Sequence, residues 1–275
     1  GQPNDRLAEA ELVAENADAV IACVGLDATL EGEEGDTGNA FASGDKISLN
    51  LPESQQKLLD ALVKTGKPLV TVVAAGSALN VPQGNAEIMA WYPGQAGGTA
   101  LAEILFGEVN PSGRLPVTFY HDLSELPEFT DYSMKNRTYR YFEGKPLYPF
   151  GYGLSYTTFT VSEVSLDKDS MKDGESIRAA VTVKNTGTCA GTETVQLYLH
   201  DVAASVVRPV KELKDFRKVT LQPEEEARVE FTITEPQLRF LSENHIFESE
   251  AGIFEIFIGT DSTTTNKAKF TLEKQ

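Results

Sequence analysis

AVIACVG (residues 19–25), LDATLEGEEGDTGNAFASGDKISLNL (26–51), PESQQKLLDALVKT (52–65) and PLVTVVAAG (68–76) are the blocks from which the fold is read. The first and last are continuous apolar runs, the mark of strands covered on both faces. Between them, Pro52 stands at the first turn of a helix that carries Leu58, Leu59, Leu62 and Val63 on one side and stops at Gly66. Strand, helix, strand implies a parallel pair with a crossover. The middle of the block, Leu30 to Lys46, holds five carboxylates (Glu31, Glu33, Glu34, Asp36, Asp45) and four glycines. A stretch so long and acidic does not close a core, and loops beyond about 12–15 residues without regular structure are functional or disordered. A loop that leaves the C-terminal end of a strand in an open α/β sheet faces the usual ligand crevice.

Working outward, residues 6–17 (RLAEAELVAENA) repeat apolar positions at helical spacing. Residues 87–92 (EIMAWY) read as a third strand ending at Pro93-Gly94. Residues 97–107 (GGTALAEILFG) read as a helix closed by Gly107. After Gly113 the periodicity stops. Residues 114–158 are rich in aromatics and prolines and read as an irregular connection laid over the first domain. From about Ser162 short alternating runs take over: 176–184, 192–199, 226–233 and 253–259, punctuated by Asn185-Thr186-Gly187, Gln222-Pro223 and Ala251-Gly252. Strands at that spacing indicate an antiparallel β-sandwich of Ig-like or fibronectin-III-like size. The sequence thus divides into an α/β domain, residues 1–155, and a β-sandwich, residues 156–275.

A formal charge of −17 speaks against a nucleic-acid partner, which needs a basic face, and suits a neutral or cationic ligand. Arg208 to Lys218 alternates charge signs, as a solvated strand or loop does. No stretch approaches the eighteen apolar residues of a membrane helix. Cys23 and Cys189 read as small buried residues rather than a disulfide. His121, His200 and His245 are too scattered for a metal cluster, and no cofactor is expected. Gly25-Leu26-Asp27 is not a phosphate-binding glycine loop, which sets aside nucleotide chemistry.

Four longer blocks carry a family likeness: Gly25 through Pro52 with Gln55 after it; WYPGQAGGTALAEILFGEVNPSGRLPVTF (91–119); DYSMKNRTYRYFEGKPLYPFGYGLSYTTF (131–159); and VKNTGTCAGTETVQLYL (183–199) with RPVKELKDFRKVTLQPEE (208–225). On these the chain resembles the C-terminal half of family 3 glycoside hydrolases of the bacterial β-glucosidase and β-xylosidase type. The resemblance implies an (α/β)6 sandwich domain followed by a fibronectin-III-like domain. It also implies a (β/α)8 barrel that carries a nucleophilic aspartate and is missing here, so the chain is expected to be a fragment or one piece of a split enzyme. An oligosaccharide substrate and the barrel are the expected partners, and a homodimer is left open.

The family's acid/base stands in a Gly-Glu context on the loop after an early strand. Gly32-Glu33 has that context, which makes Glu33 the candidate, with Glu31 and Glu34 close enough to share the assignment. Like-charged neighbours raise a carboxyl pKa, as an acid catalyst requires. Gly44-Asp45-Lys46 resembles the family's Gly-Asp followed by a basic residue. Glu31, Glu34, Asp45 and Lys46 are therefore candidate sugar contacts; the alternative for Asp45 and Lys46 is a surface ion pair worth about 0–1 kcal/mol. Phe41 either stacks on a sugar or pins the loop. Trp91 and Tyr92 are read as core before sugar platform, and Arg137, Tyr139, Arg140 and Tyr141 as packing for the connection. Against the glycosidase stands a non-catalytic carbohydrate-binding or scaffolding fragment, which has no need of Gly32-Glu33-Glu34 on a long loop.

Overall fold

The apolar blocks become three parallel strands in the order β1-β2-β3: Val20–Gly25, Leu69–Ala74 and Ala86–Met89. The structure, a computed structural model, describes residues 5–32 and 46–274. Helix α1 (Asp5–Glu15) precedes β1, α2 (Glu53–Lys64) lies between β1 and β2, and α3 (Gly97–Leu105) follows β3. Pro52, with its fixed φ, leads into α2, and Gly66 leaves it at φ +70°. Leu59 and Leu62 of α2 and Ala14 of α1 share one core with Ala22, Val24, Leu69 and Val73.

The central strand β2 is buried along most of its length, as its apolar run suggested. The run at 19–25 is not covered on both faces: Ala22 and Val24 are buried, but Ile21 is half exposed and Cys23 is exposed, so Cys23 is not a core residue either. The cause is position. β1 is the sheet's edge strand, and its inward residues alone meet the core shared with α1 and α2. The third strand ends at Met89 rather than at 92 because Trp91 sits at φ +54°, a left-handed conformation that no strand continues through.

The second half forms a β-sandwich. One sheet has the order β10-β7-β4, with β5 also on β7; the other runs β6-β14-β13-β8-β9. The strands are β4 (Phe159–Val161), β5 (Ser165–Leu166), β6 (Ser170–Lys172), β7 (Ser176–Asn185), β8 (Gly191–Asp201), β9 (Glu212–Leu221), β10 (Glu226–Thr234), β13 (Gly252–Gly259) and β14 (Lys267–Glu273). A short pair, β11 (Phe240–Leu241) and β12 (Phe247–Glu248), stands apart from both sheets. Neighbouring strands run antiparallel except β6 with β14. Ile177, Val181, Val195, Leu197, Phe231, Ile256 and Phe270 fill the space between the sheets.

The two compact units are residues 1–106 with 119–123, and 107–118 with 124–275. Of the irregular connection, residues 119–123 group with the α/β unit and the rest with the sandwich. The reason is visible on β8, where Thr194, Gln196 and Tyr198 on the outer face are as buried as Val195 and Leu197 on the inner one. The connection covers that outer face. Gln196 donates to Gly151 O (3.2 Å), Tyr139 stacks on Phe150 (4.1 Å between centroids) and meets Tyr198 edge-on, and Leu213 N donates to the Tyr139 hydroxyl (3.0 Å). Arg140 reaches the same unit through its carbonyl, which accepts from Val210 N (2.7 Å). Arg137 donates to the carbonyls of Glu128 and Asp131. These side chains pack the connection.

Asn185, wholly buried at the end of β7, joins that connection to both sheets. Its amide oxygen accepts from Thr157 Oγ1 (2.7 Å) and Gly187 N (3.0 Å); its nitrogen donates to Cys189 O (2.9 Å) and Leu221 O (3.0 Å). Each buried group left without a partner costs about 1–3 kcal/mol. Asn185→Ala is therefore expected to destabilise the protein by at least about 2 kcal/mol, read as a lower urea midpoint at unchanged slope.

Candidate functional site

The site is built where the three parallel strands end. Gly25, the last residue of β1, has φ +148°, and a Cβ there would lie 1.8 Å from Ala74 O, so only glycine lets β1 and β2 stay paired to their ends. Gln55 on α2 holds the same residue from the other side: it accepts from Gly25 N (2.8 Å) and donates to Gly25 O (2.7 Å). Leu26 N then donates to Ala74 O, and the chain turns over Asp27, whose carbonyl accepts from Leu30 N and Glu31 N. The Asp27 carboxylate accepts from the hydroxyl and backbone N–H of Thr29, which holds its pKa below the usual range.

That turn delivers Glu31 to Ser77, in the loop after β2. The Ser77 hydroxyl donates to the Glu31 carboxylate, 2.7 Å from Oε1 and 2.9 Å from Oε2. From the far end of the acidic stretch, Lys46 Nζ donates to Ser77 Oγ (2.7 Å) and to the carbonyl of Ala78. Half-burial pushes the Lys46 pKa down, and the nearby Glu31 charge opposes that shift. Past Lys46 the chain stays docked on the same loop: Asn80 N donates to Leu49 O, Asn50 bridges to Asn80, and Leu51 is buried beside Leu79 and Val81.

The loop after β3 closes the third side. The Tyr92 hydroxyl donates to Leu26 O at 3.3 Å, and its ring lies so close to Gly76 that a Cβ there would sit 2.9 Å from it. Trp91 meets Phe119 edge-on at 6.4 Å and is partly buried, whereas Tyr92 is more than half exposed. A left-handed non-glycine residue costs of order 1–3 kcal/mol, and such strain gathers at ligand sites.

Of the candidate site residues, Glu31 and Lys46 are brought together on one serine. Glu33, Glu34 and Asp45, with Phe41, lie outside the described residues. Ser77 was not among the sequence candidates; a serine after Gly76 at the end of an apolar strand is the signal that could have found it. Among the described residues no group of three or more His, Cys, Asp or Glu side chains is placed to hold a metal, and no helix is long and apolar enough to cross a membrane.

Fold and site together define a parallel α/β unit with a polar cluster at its strand ends, followed in the chain by a fibronectin-III-like sandwich. The chain belongs to glycosyl hydrolase family 3: the family's C-terminal domain matches residues 3–156, and a fibronectin type III-like domain matches residues 193–262. It is 39% identical to a periplasmic β-glucosidase of Salmonella typhimurium, over 98% of this chain and 36% of that protein. It is 40% identical to a xylan 1,4-β-xylosidase of Xylanibacter ruminicola, over 92% of this chain and 30% of that one. Among solved structures it resembles the GH3 β-glucosidase of Bifidobacterium adolescentis, with a TM-score of 0.84 at 34% identity over 98% of this chain and 42% of that one. The chain thus spans about a third of the length of these curated relatives.

Proposed function

We propose that this chain is part of an exo-acting retaining β-glycosidase that hydrolyses terminal, non-reducing β-linked glucose or xylose. In this reading residues 1–155 carry the acid/base loop, residues 156–275 are the fibronectin-III-like domain, and the nucleophilic aspartate lies on a barrel outside this chain. Retaining chemistry needs two carboxyl groups about 5–5.5 Å apart across the scissile bond. The aspartate attacks the anomeric carbon while Glu33 gives its proton to the departing oxygen. Glu33 then takes a proton from the water that releases the sugar from the aspartate. Glu34 and Asp45 are assigned to sugar hydroxyls. Glu31 and Lys46 are assigned first to Ser77, with their remaining hydrogen-bonding capacity turned to the substrate.

The observation that carries this reading is the meeting of Glu31 and Lys46 at the strand ends, where an α/β sheet presents its ligand crevice. The names of the relatives, β-glucosidases and β-xylosidases, supply the substrate class. The test compares this chain with the longer protein that carries it, on aryl β-glucoside and aryl β-xyloside. The longer protein is expected to hydrolyse at least one of them, and the isolated chain neither. Turnover by the pure chain that disappears in Glu33→Gln overturns the division of labour. Inactivity of both on every β-glycoside tried leaves the non-catalytic carbohydrate-binding reading in its place.

A further inference from the structure

We infer that Ser77 is a positioning residue: its hydroxyl clasps Glu31 on one side and Lys46 on the other, and so fixes where these two candidate sugar contacts stand. The inference rests on the glycosidase reading above for the role of Glu31 and Lys46 toward the substrate; the clasp itself rests on geometry alone.

The hydrogen bonding has one direction. Lysine only donates and an ionised carboxylate only accepts, whereas a serine hydroxyl has one proton to give and lone pairs to receive with. Lys46 therefore donates to Ser77, and Ser77 donates to Glu31 across both oxygens. Each bond has a charged partner, the stronger and shorter kind. Lys46 is also tied to the carbonyl of Ala78, the next residue along, so its ammonium has two acceptors on adjacent residues of one loop. Both charged side chains are half-buried, where salt screens less than at the open surface.

Ser77 is itself well placed. Gly76 before it lies against the Tyr92 ring, and Tyr92 is bonded to Leu26, the first residue after β1. The loops after all three strands therefore meet beside Ser77, whose hydroxyl takes Glu31 and Lys46. Glu31 and Lys46 come to it from 46 and 31 positions away. Glu31 and Lys46 are thus held against one point from both sides, and neither can shift without losing its bond to Ser77. Misplacing a reacting group by about 1 Å can cost about a hundredfold in rate. An alanine at 77 removes both the acceptor for Lys46 and the donor for Glu31, whereas a threonine keeps them.

Two measurements test this. The first needs no activity: acetylation of Lys46 by acetic anhydride at limiting reagent, read by mass spectrometry, with exposed Lys57 as internal standard. Lys46 is expected to label at least about tenfold faster in Ser77→Ala than in wild type, and at the wild-type rate in Ser77→Thr. Equal labelling in wild type and Ser77→Ala overturns the clasp. The second uses the longer protein on a disaccharide with a poor leaving group. Ser77→Ala is expected to lower kcat about 10- to 100-fold with KM changed less than threefold, and Ser77→Thr to recover most of the loss. Faster labelling with unchanged kcat overturns the positioning role. A longer protein inactive on all β-glycosides overturns the glycosidase reading, and with it the role of Ser77 toward the substrate contacts Glu31 and Lys46, while the labelling still decides the clasp.

Discussion

On the proposed reading, Glu33→Ala, made in a protein that joins this chain to its barrel, is expected to lower kcat/KM on unactivated β-disaccharides by about 10²–10⁴-fold, the usual worth of a general acid/base. The loss depends on the leaving group. An alkoxide-like sugar oxygen cannot depart without a proton, so its departure meets the full deficit. An activated aryl oxide departs unaided, so on aryl glycosides bond cleavage is nearly spared and the slow step becomes water attacking the glycosyl-aspartate without a base. Azide needs no base. Added to the mutant on an aryl glycoside, it is expected to raise turnover and give a glycosyl azide of retained β configuration. Equal losses on both substrate classes, with no azide product, move the assignment to Glu34 or Glu31. Glu31→Ala is separable from Glu33→Ala: it breaks the bond to Ser77, so its defect is expected to resemble Ser77→Ala and to exceed it if Glu31 is itself the acid.

What could be read from sequence, and what could not, follows from the range of the interactions. The helices at 6–17, 52–65 and 97–107 and the strand at 68–76 announce themselves through local periodicity and through Pro52, Gly66 and Gly107. The sandwich strands do so through alternation between turn signals. Burial is less legible. Ile21 and Cys23 are as apolar as the residues of β2, but edge position is a property of the sheet and not of the strand. The connection at 114–158 has no period, so its sequence does not say which unit it covers. The signal lay elsewhere, in β8, where Gln196 and Tyr198 take the outer positions of a strand buried on both sides. For the site, Glu31 and Lys46 stood out by charge and spacing, while Ser77, the residue that joins them, carries neither.

The second large effect is expected at Arg114, inside the block RLPVTF. Its guanidinium meets the Glu193 carboxylate at 2.5 Å with both side chains about 8% exposed, and Glu193 also accepts from Thr194 N at 2.7 Å. Arg114 donates in addition to Gly113 O at 2.9 Å, so the pair fastens the 107–118 segment to β8 within the sandwich unit. Removing one partner of a buried pair leaves the other charge dry and uncompensated, which costs about 3–5 kcal/mol, whereas replacing both with apolar groups of similar volume is often near neutral. Arg114→Met is therefore expected to be among the most damaging single substitutions in the sandwich unit, and Arg114→Met with Glu193→Leu to recover much of the loss despite removing twice as many charges. The denaturation midpoint gives the magnitudes. Hydrogen exchange along Thr194–Leu199 gives the location: faster exchange there in the single mutant, restored in the double, is the signature of an unpaired Glu193. If the double mutant is the sum of the two single ones, the pair contributes through independent packing of each side chain and not through its charges.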